Sequence, residues 1–277
     1  MTRWQSLVYV YGIVPSGGDL DLFDGPTVIA GARFGPPRLL SSDGFAAVVS
    51  DLSLRGGASL DARLENDREA EGLVLQHHRV LQALIDRQSV LPFRFGVMFN
   101  DDQGLADALS RHGEMLRDAL EGVDGAVEWG LKVYCEHRRL GPRLAAEIPA
   151  IVELEGKIAT AEAGKAFFLR RGRTRLIEEE TEQAIARCLG YTGERLGSAV
   201  RVFASGKPQP PEVHGRESEM VFNGACLVDR GAKRAFFELI EDLRDVYAGF
   251  GFEHEITGPW PPYSFADCRL GGDEHAA

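Results

Sequence analysis

Residues 7–14, Leu-Val-Tyr-Val-Tyr-Gly-Ile-Val, give the first indication of the fold of this chain of 277 residues. The run is rich in β-branched and aromatic side chains, which are typical of a buried strand. Residues 45–50 (FAAVVS) predict a second strand. Residues 127–134 (VEWGLKVY) alternate apolar side chains with mostly polar ones, and this period of two predicts a strand with one apolar face.

Two helical segments separate these strands. Residues 64–87 carry apolar side chains at three- and four-residue spacing, which predicts an amphipathic helix. The stripe consists of Ala70, Leu73, Val74, His77, Val80, Leu81, Leu84 and Ile85. A second amphipathic helix is predicted over residues 105–120, where Asp101 or Asp102 can cap the first turn.

A further strand is predicted between the two helices, at residues 90–96 (VLPFRFG). Pro92 has no N–H to donate, so it marks a strand start, an edge or a bulge. The resulting order, β-β-α-β-α-β, indicates an open sheet with helices on one face. We therefore expect an N-terminal α+β domain, a sandwich like a modified ferredoxin fold, over residues 1–138.

The remaining residues, 139–277, predict a C-terminal α+β domain with long helices and a tail rich in proline and aromatic residues. The boundary is expected near the Gly-Pro turn at Gly141. Residues 164–200 predict one long helix, or two helices joined near Gly190 and Gly193. Later elements are a strand at 220–228 buried on both faces, a helix at 232–250 and a short strand at 253–257.

The charge balance argues against several classes of partner. The chain has 31 basic and 42 acidic residues, for a net charge of −11. Such an average field repels phosphate backbones and anionic membranes, so we expect neither nucleic acid nor membrane as a partner.

The first apolar run is too short for a signal peptide, and no stretch approaches the length of a membrane span. We therefore expect a cytoplasmic protein whose four cysteines are reduced thiols. They are Cys135, Cys188, Cys226 and Cys268.

Signatures of catalysis and of cofactor binding are missing from the sequence. The phosphate-binding glycine loops, His-Glu-x-x-His and Gly-x-Ser-x-Gly do not occur. His77 and His78 are adjacent, and neighbours on a helix point about 100° apart, so one core-facing and one solvent-facing ring is expected rather than a metal site. We predict no catalytic residue, no cofactor and no metal site, and hence no enzyme.

Two aromatic segments are candidates for contacting a partner. In the first, Phe93 and Phe95 flank Arg94 on a predicted strand. Either both phenylalanines face the core while Arg94 points away, toward a carboxylate, or the segment is an exposed contact.

The second candidate is the tail. Prolines at 259, 261 and 262 restrict the backbone, so the tail is expected to be extended. Trp260, Tyr263 and Phe265 either attach the tail to its own domain or present a binding surface, and a tail closing one side of a groove would do both.

Four segments together resemble the GvpF/GvpL family of gas vesicle proteins. They are residues 7–14, 90–96, 127–134 and 257–265 (TGPWPPYSF), and they occur in the order expected for the family. Residues 164–170 (GKAFFLR) are a weaker fifth match. Phe93 departs from the smaller or unbranched residue expected after the proline, which leaves the resemblance intact.

The resemblance implies two α+β domains, the first like a modified ferredoxin fold and the second with long helices. It implies a minor vesicle component or assembly factor, found in the cytoplasm and at the gas vesicle, that binds the small hydrophobic shell protein GvpA and other accessory proteins. It implies no catalytic residue and no cofactor. A shell subunit must expose apolar surface before assembly, and an acidic partner that covers this surface would limit aggregation. The candidate contact residues are Phe93, Arg94, Phe95, Trp260, Tyr263 and Phe265.

Two other functions remain open at the level of sequence. A small-molecule-binding sensor or an enzyme on an α+β sandwich would require a deep pocket with converging polar groups and perturbed titratable residues. A nucleic-acid-binding module would require a contiguous basic face, for example around residues 170–175.

Overall fold

In the computed structural model, residues 4–17, 20, 27–29, 32–55 and 67–266 are described. They form helices and two separate sheets, which confirms the predicted α+β class. The strands are β1 (Trp4–Pro15), β2 (Thr27–Ile29), β3 (Ala32–Phe34), β4 (Arg38–Ser41), β5 (Phe45–Arg55), β6 (Leu91–Pro92), β7 (Met98–Phe99), β8 (Ala126–Cys135), β9 (Val202–Gly206), β10 (Glu219–Asp229) and β11 (Phe252–Trp260). The helices are α1 (Asp67–Ile85), α2 (Asp102–Arg111), α3 (Gly113–Val123), α4 (His137–Glu147), α5 (Pro149–Thr160), α6 (Ala163–Leu196), α7 (Pro211–His214) and α8 (Lys233–Tyr247), with 3-10 turns at Arg230–Ala232 and Tyr263–Phe265.

The first sheet is built around β1, the strand predicted from residues 7–14. Its strand order is β2-β3-β5-β1-β6, with β4 also paired to β5 and β7 also paired to β1. β1 and β5 are antiparallel over their whole length, with one register shift between Val10 and Gly12. Gly12 is required because a Cβ there would lie 2.4 Å from the Leu91 carbonyl oxygen, so β6 could not approach.

The strand predicted over residues 90–96 is shorter than expected. Pairing stops after Pro92, which cannot donate to the ladder, although the Phe93 N–H still donates to the Tyr11 carbonyl at 2.9 Å. Gly96 then turns the chain with φ +93°, and β7 pairs separately with β1. Pro92 ends β6, and β6 is the outermost strand of this order among the described residues, so the edge position predicted as one alternative for Pro92 is confirmed.

Helix α1 packs on this sheet with most of the predicted stripe. Leu73, His77, Val80, Leu81, Leu84 and Ile85 are buried. Val74, placed on the same stripe by sequence, is 46% exposed, so that prediction was wrong. The second predicted helix is interrupted at His112 and forms α2 and α3, and Asp101 Oδ1 accepts the Gly104 N–H at 2.8 Å as the predicted cap.

The second sheet has the strand order β11-β8-β10-β9. Along the chain these strands and their helices follow the order β-α-β-β-α-β, and the first strand lies beside the third and fourth. This is the ferredoxin-like topology. It was predicted for the N-terminal half, with β8 as its last strand, but β8 pairs in the second sheet with β10 and β11 instead. Period two in β8 identified a strand but carried no information about its partners.

The chain divides into two compact units at positions that differ from the predicted boundary at 138. One unit comprises Met1–Glu128 and Pro259–Ala277, and the other comprises Trp129–Gly258. The boundary lies earlier because β8 is hydrogen-bonded into the second sheet. The tail, predicted to belong to the C-terminal domain, groups with the first unit, where Ser264 binds the Glu128 carboxylate.

Helix α6 settles the choice between one and two helices in favour of a single helix of 34 residues. Gly190 and Gly193 lie within it without a break. Few of its residues are buried, namely Ala166, Thr181, Cys188, Thr192 and Leu196. Much of α6 is therefore exposed, and its other side packs against α4, α5 and α8.

Candidate functional site

The adjacent histidines of α1 point in different directions. His77 is 3% exposed and faces the core of the first unit, whereas His78 is half-buried at the surface. This separation is the one predicted from the turn of the helix. His77 lies against the Phe-Arg-Phe segment, and His78 lies against the tail.

His77 connects α1 to the segment that follows β6. Its Nδ1 lies 2.8 Å from the Tyr9 hydroxyl, and the same hydroxyl accepts the Gly96 N–H at 3.3 Å. Burial, partly opposed by the Phe93 backbone, lowers the pKa of His77 to about 4. The imidazole is thus neutral at pH 7, and the Tyr9 hydroxyl donates to it. The Phe95 ring meets the His77 ring edge-on, with centroids 5.8 Å apart.

The alternation predicted for the Phe-Arg-Phe segment is present. Phe93 is 2% exposed, Phe95 is half-buried against the first core, and Arg94 is exposed. Within the described residues Arg94 forms no ion pair, so the carboxylate suggested as its partner is not found. Because Phe93 lies inside the core, it cannot contact a partner in this conformation, and only Arg94 and the edge of Phe95 remain available.

The tail is fixed to the first unit by a buried carboxylate. Glu128 is 7% exposed, and its two oxygens accept the Ser264 N–H and the Ser264 hydroxyl, each at 2.8 Å. Burial raises the pKa of Glu128, and the two hydrogen bonds from Ser264 partly oppose this effect. Pro261 and Pro262 are buried beside this contact, and Phe265 is half-buried. The tail therefore has a defined path over the unit.

Trp260 and Tyr263 remain exposed on the fixed tail. Their exposed fractions are 37% and 40%, and both rings lie beside His78. The ring centroids are 5.4 Å from His78 to Trp260 and 6.3 Å from His78 to Tyr263. Burial, with a smaller effect of the Glu128 carboxylate, raises the pKa of Tyr263 to about 12, so its hydroxyl stays protonated 3.4 Å from His78 Nδ1.

Two apolar residues of α1 extend this patch. Val74 and Leu75 are 46% and 47% exposed, and they lie four and three residues before His78, on the same side of the helix. We call this patch the tail surface, defined by Val74, Leu75, His78, Trp260 and Tyr263. Sequence reasoning identified its two tail residues and missed its three helix residues, because it assigned Val74 to the core and gave His78 only a solvent-facing role. The one signal in the sequence for these helix residues was the width of the apolar stripe of α1, which exceeds the face that packs on the sheet.

A charged cavity in the second unit has a volume of about 580 Å³ and is lined by ionisable groups, several of which are paired with one another. Arg216 binds Glu253 and Glu255, and its guanidinium also lies 4.2 Å from the centre of the Tyr134 ring. His137 likewise pairs with Glu219. The cavity is open, and its charges largely satisfy each other.

The described residues offer few reactive groups. Cys135, Cys188 and Cys226 are buried, and burial raises the pKa of Cys135 and of Cys188 to about 12, which keeps those thiols protonated. Cys268 lies outside the described residues. In the part of the chain that the structure describes, no group of three or more His, Cys, Asp or Glu side chains is placed to hold a metal ion. Among the helices described, none combines the length and the apolar character needed to cross a bilayer.

Comparisons with known proteins agree over almost the whole chain. Residues 7–267 match the family model described as "Gas vesicle synthesis protein GvpL/GvpF". Gas vesicle protein L of Streptomyces sp. (strain CB03234) is 32% identical over 268 residues, which cover 94% of this chain and 92% of that protein. Gas vesicle protein F of the same strain is 25% identical over 84% of this chain and 88% of its own length. The crystal structure of GvpF from Anabaena sp. PCC7120 has the same fold, with a TM-score of 0.69 at 16% identity, over 95% of this chain and 99% of that one.

Proposed function

The chain belongs to the GvpL/GvpF family of gas vesicle proteins, and from this premise we propose that it is a non-catalytic assembly factor that binds the shell protein GvpA. In this proposal the chain covers apolar surface of GvpA before the vesicle wall forms and so limits its aggregation. Contacts with other gas vesicle accessory proteins complete its role, and the gas vesicle and the cytoplasm are its sites of action.

The observation that carries the proposal is the tail surface of the first unit. It brings two half-exposed aromatic rings and two exposed aliphatic side chains of α1 together around His78. Exposed apolar side chains that are grouped in this way are typical of protein interaction sites. Trp and Tyr are also the side chains most often found at the energetic centre of such sites.

The way the tail is held favours binding over simple attachment. The Glu128–Ser264 hydrogen bonds and the buried prolines fix the backbone on both sides of Tyr263. A surface that is already ordered loses little conformational entropy when a partner binds. A tail that served only to attach itself would instead be expected to bury Trp260 and Tyr263.

The net charge of the chain supports the proposal that it limits the aggregation of GvpA. The net charge of −11 gives the chain, and any complex it forms with an apolar subunit, a repulsive field toward other copies. An acidic carrier with a limited apolar surface can therefore bind an aggregation-prone subunit without joining an aggregate. The paired charges of the cavity in the second unit offer less support for a sensor or an enzyme.

Co-expression with the cognate GvpA tests this function. The tagged full chain is purified, and the amount of GvpA that co-elutes in soluble form is compared between wild type and the double variant Trp260→Ala/Tyr263→Ala. Tyr191→Ala is the matched control, because Tyr191 is 38% exposed and lies in the second unit.

We expect wild type and Tyr191→Ala to retain GvpA, and the double variant to lose most of it while keeping its circular dichroism spectrum. Equal retention by all three proteins would rule out the tail surface. Failure of the wild type itself to retain GvpA would overturn the proposed binding.

A further inference from the structure

A second exposed aromatic group lies on α6, far along the chain from the tail surface. Phe167 and Phe168 are 55% and 72% exposed, and Phe168 is the most exposed large apolar side chain in the described residues. Their rings contact each other edge-on, with centroids 5.7 Å apart. Neither ring belongs to the tail surface, and neither is among the buried residues of the second unit.

Glycines leave room on both sides of Phe168. Gly164 and Gly172 lie four residues before and after it, on the same face of the helix. A Cβ added at either glycine would meet no heavy atom within 4 Å. Glycine lowers helix stability relative to alanine, so packing within this chain gives no reason for glycine at these positions. Their effect is to let another backbone come close beside the Phe168 ring.

The charges around these rings are positive, although the chain as a whole is acidic. Lys165, Arg170 and Arg171 form no ion pair with any residue in the described ranges. The nearby acids Glu153 and Glu155 are already engaged, by Lys157 and Arg173 respectively. Glu162, at the start of α6, is the remaining acid of this segment. The three basic side chains are therefore available to pair with a negatively charged partner.

We propose that this face of α6 is a docking site for an amphipathic helix of another protein, with an apolar stripe bordered by acidic residues. The Phe167 and Phe168 rings insert into the apolar stripe of that helix. The glycine positions allow the two helix axes to approach, as in ridges-into-grooves packing. Lys165 and Arg171, three residues before and after Phe168 on either side of this face, then pair with the acidic border. The proposal concerns the second unit and does not depend on the tail surface or on GvpA.

The first test uses designed peptides and the full chain. One labelled peptide of about 18 residues, roughly five helical turns, carries a leucine stripe bordered by Glu. Its twin carries Lys in place of every Glu. The net charge of −11 alone would favour the Lys peptide, whereas the local site favours the Glu peptide. We expect the Glu peptide to bind at least about tenfold more tightly in fluorescence anisotropy.

Variants then locate the binding. Phe168→Ala is expected to weaken binding of the Glu peptide by about tenfold or more. Gly172→Ala is expected to weaken it severalfold while leaving the melting temperature of the chain unchanged or higher. Val213→Ala is the control, because Val213 is 63% exposed at a different position of the second unit.

Three results would overturn the proposal. The first is equal or tighter binding of the Lys peptide, and the second is binding of the Glu peptide that Phe168→Ala leaves unchanged. The third is self-association of the wild-type chain that Phe168→Ala abolishes in sedimentation experiments, since a second copy would then be the occupant.

Discussion

The tail surface and the Phe167–Phe168 face of α6 differ in what holds their rings in place. The rings of the tail surface lie on a segment anchored through Ser264 to the buried Glu128, beside a histidine whose neighbour His77 is part of the core. Phe167 and Phe168 instead project from the single helix α6 with their rings in contact, and open space lies beside Gly164 and Gly172. Mutations around the tail surface should therefore lower stability as well as weaken binding, whereas mutations around Phe168 should weaken binding without lowering stability.

The largest effect is expected for His77→Ala, which removes a buried ring that contacts Tyr9, Tyr11 and Phe95. The cavity and the loss of the Tyr9 hydrogen bond should cost about 3 kcal/mol of unfolding free energy. Urea denaturation measures this loss. His78→Ala, one residue away and half-buried, should cost less than about 1 kcal/mol. Equal losses for the two variants would contradict the separation of the two rings.

The pH dependence of the unfolding free energy should come from one buried histidine in each unit. Burial lowers the pKa of His77 and of His254 from 6.5 to about 4. Between these values the unfolded chain binds a proton that the folded chain does not. The stabilisation is therefore complete above pH 6.5 and is lost as the pH falls toward 4. Each histidine should contribute on the order of 3 kcal/mol to this loss.

Single variants separate these two contributions. His77→Gln and His254→Gln should each flatten the decline in unfolding free energy between about pH 7 and about pH 4.5, because a glutamine does not take up the proton. A decline identical to that of the wild type in both variants would mean that other groups cause the acid sensitivity.

The anchor of the tail surface can be broken by Glu128→Ala. The change removes both acceptors of Ser264 and should cost about 1–3 kcal/mol. Hydrogen exchange should then speed up at the Ser264 amide, which donates one of these bonds. Glu136→Ala, at a half-buried carboxylate of the second unit that pairs with Arg139, is a suitable control. Unchanged protection at Ser264 would show that the prolines alone fix the tail.

The smallest effect on stability is expected at Phe168. Phe168→Ala should change the unfolding free energy by less than about 0.5 kcal/mol, because the ring is 72% exposed. Gly172→Ala should raise it by up to about 1 kcal/mol, since the added Cβ meets open space within a helix. A large loss in either variant, measured by urea denaturation, would mean that this face of α6 is packed within the chain.

Local pattern predicted the elements of this fold better than their partners. The stripe of α1, the Asp101 cap, the long helix α6 and the alternation of Phe93, Arg94 and Phe95 follow from the chemistry of a few neighbouring residues. The sheet that β8 joins and the unit that the tail joins depend on contacts between residues far apart in the sequence, as for Glu128 and Ser264. Spacing along the sequence carries no signal for such contacts.

The tail surface was only partly predictable for the same reason. Trp260 and Tyr263 were identified from the proline-rich tail, but His78 joins them only because the tail crosses α1. Val74 was assigned to the core because a stripe of eight positions covers a wide arc, and its edge lies at the surface. The glycines around Phe168 carry no such pattern, and their meaning depends on the open space beside them.

Site-directed photo-crosslinking tests the central claim most directly. A photoreactive phenylalanine is placed at position 263 or, as the matched control, at position 191, and each chain is co-expressed with GvpA before irradiation. The account predicts a crosslink to GvpA from position 263 and none from position 191. A GvpA crosslink from position 191 alone, or none from position 263 while GvpA still co-elutes, would contradict it.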